Sequence, residues 1–273
     1  MGDSNGKSAA KVSAMAAIAS AVIAAIVSLS VALVGQLAEK QKQVDDKYAA
    51  ALERLGNPNP DVRMGAMYML GSVHKRSTDD RVAIVESISA YLRAHTSQLN
   101  VKVATQEGIV HFNERAQYCA QLPRPDIDVQ AAVGVLSRRD TNGEGFGKGE
   151  QPDLHDVRLT RADLPGAHFR NGNFTDADLR CAIFTSKSSF RSAILVGAHL
   201  QGAKLRSADF RGADLRKADL RGADLRKADL TGADLTEADL RGAQLDGAQW
   251  KETCTAGVKW SNGANMGIRN CGQ

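Results

Sequence analysis

Catalysis or metal binding needs reactive side chains, cysteines, histidines or carboxylates, brought to one place. Cys119, Cys181, Cys254 and Cys271 are widely scattered, with no CxxC pair and no zinc spacing. Neither a metal centre nor disulfide scaffolding is expected from them, and a reducing compartment fits best. His74, His95 and His111 fall on separate predicted elements without the i, i+4 pairing of a metal-binding helix, and they read as structural or solvated. The GEGFGKG stretch from 143 to 149 is glycine-rich, but its GK is not followed by the Ser or Thr of a phosphate-binding loop. The aspartates recur at a fixed spacing instead of converging on a pocket. The sequence therefore predicts no enzyme, no cofactor, no metal and no small-molecule substrate.

The element that positions those aspartates is a beat of five. From Leu154 to Trp250 an apolar or aromatic centre returns every fifth residue, usually two places after an Ala, as in RGADL, RKADL and TGADL. Neither a helix, with 3.6 residues per turn, nor a strand, which alternates every two, has that period. A solenoid has it, because each unit turns a corner and is buried only when another stacks on it. The centres expected in the core include Phe169, Phe190, Phe210, Leu220, Leu225, Leu230, Leu235, Leu240 and Trp250. One slip of a single residue interrupts the beat between Phe184 and Phe190.

The region upstream has a different grammar. Residues 1–11 form a short polar tail. Val12 to Ala38 carries no charge and is long enough for a single transmembrane helix, since about 20 residues span the hydrocarbon core. Rows of Ala and Ser four apart in it offer a surface on which two copies can pack as a homodimer. Lys40, Lys42, Lys47 and Arg54 follow the span while Lys7 and Lys11 precede it, which puts the C-terminal part in the cytoplasm. Residues 39–142 read as an α-helical connector. Its first helix carries Val44, Tyr48, Leu52 and Leu55, and Gly56 with NPNP stops it. A second is capped by Asp61, a third carries Ile84, Ile88, Tyr91 and Leu92, and a last one is capped by Asp128. Residues 143–150 read as a linker and 151–250 as the repeat. Residues 251–273 read as a capping tail in which Trp260 covers the last open coil.

The ADLRG, ADLRK and ADLTG units resemble the A-(D/N)-L-x-x motif of pentapeptide-repeat proteins. DVRMGAMYMLGSVHKRS, IVESISAYLRAH and DIDVQAAVGVLSRRD resemble the helical region that precedes such repeats in a group of bacterial membrane proteins. The first resemblance implies a mainly β fold, a right-handed quadrilateral β-helix with four units to a coil. Residues 20 apart then stack in columns about 4.8 Å apart, the slip becomes a bulge within Thr185 to Ser189, and Phe169, Phe190, Phe210, Leu230 and Trp250 share one wall.

Charge narrows the function. Between Gln151 and Trp250 there are 15 Lys and Arg against 14 Asp and Glu, and the whole chain carries a formal charge of +4. A nucleic-acid partner calls for a one-sided basic stripe and is not expected. The leading expectation is a non-catalytic, membrane-anchored scaffold whose β-helix binds a protein partner. The alternative implied by the resemblance is an imitation of duplex DNA that binds gyrase, which needs a strongly negative rod.

Overall fold

The computed structural model of the chain describes residues 4–75, 80–96, 115–138, 151–184 and 188–260, with the backbone alone described for 4–27. His111, the linker at 143–150 and the end of the C-terminal tail lie outside that set. The chain divides into two compact units, residues 1–49 and 50–273.

Helix α1 (Ser4–Leu55) is one continuous element of 52 residues, where the sequence predicts a membrane span followed by a separate connector helix. No proline or glycine pair stands between Ala38 and Val44 to break it. Residues 12–27 of the expected span have no described side chains. Beyond them Leu29 is 72% and Leu33 56% exposed. Among the described residues no helix is long and apolar enough to cross a membrane.

In the second unit, α2 (Pro60–His74), α3 (Arg81–Thr96) and α5 (Ile127–Leu136) pack together, and a short α4 (Arg115–Ala120) precedes α5. The cap of α2 is Asn59 and not Asp61: its side chain accepts from the Asp61 amide at 2.9 Å, with Pro60 pre-set for the first turn. Asp128 likewise does not cap α5, which begins one residue after Asp126. Asp128 is instead 1% exposed and holds the bundle together. Arg63 of α2 donates through Nε to its carboxylate at 2.6 Å and reaches the Tyr91 hydroxyl of α3 at 2.9 Å, while Tyr91 donates to the same carboxylate. Arg63 also donates through Nη1 to the carbonyls of Asn57 and Pro58, which ties the turn after α1 to the core. Burial works against the Asp128 charge, but the hydrogen bonds from Tyr91 and Arg63 outweigh it and hold the carboxyl below its ordinary value.

From Asp153 to Lys259 the chain winds into four-sided coils. Parallel bridges join Asp153 to Asn173, Arg158 to Asp178 and Asp163 to Ile183, which is 20 residues per coil on each wall. The spacing becomes 21 at His168 with Ser189 and returns to 20 at Ser189 with Asp209, so the single slip is absorbed without loss of register. The ladder continues to Lys259, beyond the Trp250 at which the sequence reading closes the repeat. Within each unit the backbone alternates its direction of pairing. Leu220 donates to the Asp239 carbonyl at 2.8 Å in the next coil, and Asp219 donates to the Ala198 carbonyl at 2.9 Å in the previous one.

The corners are turns closed by bonds such as Ala218 N to Leu215 O at 3.1 Å, with positive φ at the third residue. Gly212 and Gly222 suit that conformation, but Lys217, Lys227 and Glu237 adopt it too at about 1–2 kcal/mol each. Stacking offsets that strain because it buries the centre and the Ala before it. Phe169, Phe190, Phe210, Leu220, Leu225, Leu230, Leu235 and Leu240 are all fully buried. Phe190 stacks on Phe210 with centroids 5.1 Å apart, and Phe174 and Phe184 from the adjoining walls meet Phe190 edge-on. Trp250 belongs to the same column but is only part-buried, with Trp260 tilted against it at 5.8 Å.

The first coil has no coil before it, so the peptide groups of Asp153, Arg158, Asp163 and His168 form an open β edge. The helices pair all four walls. Arg93 donates to the Asp153 carbonyl. Thr96 accepts from the Arg158 amide at 3.1 Å. The Gln130 side-chain amide both donates to and accepts from the Asp163 peptide, at 2.7 and 3.2 Å. The Ser137 carbonyl accepts from His168 N at 3.0 Å.

Replacing Gln130 by Ala leaves both Asp163 groups to solvent or unpaired and should cost about 1–3 kcal/mol, read as a drop in thermal midpoint with faster amide exchange confined to the first coil. The Asp128 contribution is present above about pH 4 and is lost as pH falls through its lowered pKa. Acid titration of Asp128→Asn should therefore lack a stability loss that the native chain shows, at a cost of about 3 kcal/mol at neutral pH.

Candidate functional site

The outward residues of the solenoid are Asp and Arg set two apart. The Asp stands just before each buried centre and the Arg just after it, so both side chains leave the wall on the same side. Arg211 meets Asp209 through Nε at 2.8 Å and Nη2 at 2.7 Å, and the Asp209 carboxylate also accepts from the Arg211 amide at 3.1 Å. The same bidentate pair recurs at Asp178 with Arg180, Asp214 with Arg216, Asp219 with Arg221, Asp224 with Arg226 and Asp239 with Arg241. Each Asp is thus a turn cap and a salt-bridge partner together. A second, longer contact runs up the column, from Arg211 to Asp229 at 3.6 Å and from Arg216 to Asp234 and Arg221 to Asp239 at 3.9 Å. The stacked Asp residues are therefore interleaved with Arg.

The pairing shapes the electrostatics. The hydrogen bonds from Arg241 outweigh burial at Asp239, and those from Arg211 do so at Asp209, holding both carboxyls below the ordinary value. Carboxylates held this firmly are poor proton donors at neutral pH. Among the described residues no three His, Cys, Asp or Glu are grouped so as to hold a metal ion.

The walls are not equivalent. Helix α4 lies along one corner and is fastened there by a disulfide between Cys119 and Cys181, 62 residues apart in sequence. This corrects the expectation of free thiols. The two cysteines meet only because the corner residue of the second coil faces α4, a proximity with no short-range signature. Cys254 is also disulfide-bonded. A Cβ built on Gly202 would lie 3.2 Å from Arg115 Cγ and 3.3 Å from Cys181 Sγ, so the corner beneath α4 has no room for a larger residue. Arg161 continues the attachment by donating to the Leu122 carbonyl at 2.8 Å, and Thr160 donates to the Pro123 carbonyl at 2.8 Å. On this side the ion pairs are sheltered, with Arg180 17% exposed. On the walls that carry Asp209 and Asp214 they are open, with Arg216 52% exposed. Those two walls and the corner between them, with Arg191 and Arg211, form the accessible charged surface.

Cys181→Ser should release α4 while leaving the coils wound. Closing a loop of this length is worth roughly 2–4 kcal/mol, so the thermal midpoint should fall, and amide exchange should rise in 115–120 without rising at Leu220 or Leu225.

A family profile described as Pentapeptide repeats matches eight copies over residues 153–186, 186–222 and 213–249. Comparison with curated proteins gives no match. Among solved structures, the pentapeptide repeat protein Rfr23 of the cyanobacterium Cyanothece 51142 is 32% identical over 36% of this chain and 64% of its own, slightly under two thirds of its length, with a TM-score of 0.32. The Arabidopsis thaliana thylakoid-lumen protein AT2G44920 is 33% identical over 44% of this chain and 74% of its own, with a TM-score of 0.25. QnrB1, a plasmid-mediated fluoroquinolone resistance protein, is 24% identical over 40% of this chain and 60% of its own, with a TM-score of 0.23. The repeat profile shows that residues 153–249 are built of pentapeptide repeats.

Proposed function

We propose that the protein is a non-catalytic, membrane-anchored scaffold whose β-helix offers its two open walls to a protein partner. The observation that carries this reading is the pairing of Asp209 with Arg211 and Asp214 with Arg216 on an exposed, rigid surface. Turn caps and bidentate bonds hold these paired charges in place, so a partner meets a pre-organised pattern and little side-chain entropy is lost on binding. The core beneath is filled by fully buried Leu and Phe. The near balance of charge, 15 against 14, does not favour imitation of duplex DNA.

Anchoring is part of the proposal and rests on the uncharged run from Val12 to Ala38, with the exposed Leu29, Val31, Leu33 and Val34 as its described portion. The cations after the run favour a cytoplasmic repeat domain. In that compartment the Cys119–Cys181 bond is exposed to cellular reductants.

Two measurements test the parts separately. Crosslinking and co-purification from membranes of the native host should recover a defined partner, and reversing Arg211 and Arg216 to Glu should lose it at least tenfold with the β signal in circular dichroism unchanged. Equal recovery by the reversed variant would remove the open walls from the proposal, and dose-dependent inhibition of gyrase supercoiling would replace it. A reporter fused after Gln273 should be active in the cytoplasm, with Cys119 open to alkylation in cells. An exported reporter with Cys119 protected would place the domain on the oxidising side.

A further inference from the structure

Where the helices meet the first coil they leave a cleft of about 970 Å³. Its floor is the outer face of α5, and its walls are α2 and the corner Pro165–Gly166 of the first coil. Helices α2 and α5 run in the same direction, because Arg63 meets Asp128 near their beginnings and Gly71 approaches Val135 near their ends. That alignment orders the lining. Arg124 stands at the start of α5, while Lys75 and Arg138 stand together at the far end of both helices. Between them lie the apolar Met64, Tyr68 and Ile127, the last two 49% exposed, beside the polar Gln130 and Ser137. Arg161 lines the cleft as well, and among the described residues Asp163 is its one carboxylate against four Lys and Arg.

We propose that this cleft binds a short acidic peptide segment of a partner protein, with acidic residues at its two ends and an apolar side chain between them. The spacing of the charges selects that occupant. From Ile127 to Arg138 the helix rises about 16 Å at 1.5 Å per residue, so one phosphate or one carboxylate cannot reach the cations at both ends. An extended chain advances about 3.3 Å per residue, and acidic residues about five apart span the distance. The apolar middle then lies over Tyr68 and Ile127, where it gains burial that a nucleotide phosphate chain could not. A bilayer surface is flat, and the two walls keep it off the α5 floor. This site is separate from the charged walls of the proposed scaffold, so either can fail without the other.

Gly134 provides the test. It lies on the cleft floor inside α5, and a Cβ built there meets no atom within 4 Å. Gly134→Trp therefore fills the cleft without disturbing the core, and Gly134→Ala keeps it open. The full-length chain in detergent is screened against an array of heptapeptides built from Glu, Leu, Phe and Lys, and the hits are titrated by fluorescence anisotropy. The expected hits carry Glu at both ends and Leu or Phe between, and their affinity falls at least tenfold from 50 to 300 mM salt. Gly134→Trp should lose them at least tenfold, as should Lys75→Glu combined with Arg138→Glu, while Gly134→Ala and Arg211→Glu bind as the native chain does. An array without hits, hits not enriched in Glu, or equal binding by Gly134→Trp would overturn the site. Displacement of the hits by ATP at equal concentration would reassign it to a nucleotide, and retention of anionic vesicles by the native chain but not by Gly134→Trp would reassign it to lipid.

Discussion

The peptide groups of the solenoid point along its axis, and the rest of the structure follows from having to pair them. Each coil donates and accepts on both sides, as Leu220 does toward the next coil and Asp219 toward the previous one. A lone coil would leave those groups to water and its centres exposed, so stability arises only between neighbours. The strained corners at Lys217 and Glu237 are tolerated for this reason, since the ladder fixes the turn whatever residue occupies it. At the first coil the same requirement falls on the helical region, and Arg93, Thr96, Gln130 and Ser137 take the place of a preceding coil. Gln130 is apt there because its side-chain amide reproduces the donor and acceptor of a peptide bond.

The period of five was legible because one physical rule is applied repeatedly: a centre that must be buried returns at each wall. The column of Phe169, Phe190 and Phe210 follows from the family's four units per coil plus one slip, and the bridges have that register. The caps were less legible. Asn59 and Asp61 are both good caps, and the choice between them is made by Pro60, which fits the first turn of a helix but not its interior. Asp128 has the sequence signature of a cap and a tertiary role instead, because Arg63 and Tyr91 bring it two donors from elements far away in the chain. The disulfide belongs to the same class, since nothing local marks Cys119 and Cys181 as neighbours. The ADLR pairing could have been read from the sequence. Residues two apart on an extended unit leave the same face, and Arg follows the centre in five of the units whose Asp it meets from Asp209 to Asp239.

The two ends of the solenoid differ in how they are closed. At the first coil Leu154, Leu159 and Phe169 are fully buried under the helices. Toward the other end Leu245 and Trp250 are only part-buried among the described residues, with Trp260 against Trp250 and Thr253 donating to the Leu230 carbonyl. Stability in a stacked array is a sum of neighbour terms, and at the first coil the helices supply the terms that a preceding coil would have given.

That closure also explains why a cleft exists at the junction. A square coil presents four flat walls, whereas α2 and α5 are rods whose surfaces curve away from any flat edge. The helices meet the edge at the points where pairing is compulsory, at Asp153, Arg158, Asp163 and His168. Between Asp163 and His168 the chain turns the corner Pro165–Gly166, which lines the gap. The gap is thus a geometric remainder of capping a β edge with helices. Its walls carry cations because Arg161 is needed to hold the Leu122 carbonyl and because Lys75 and Arg138 follow the C-terminal ends of α2 and α5, where positive charge is favoured by the helix dipole. Structural demands alone therefore concentrate positive charge beside an apolar helix face, and a surface assembled for folding becomes one that an acidic chain can recognise.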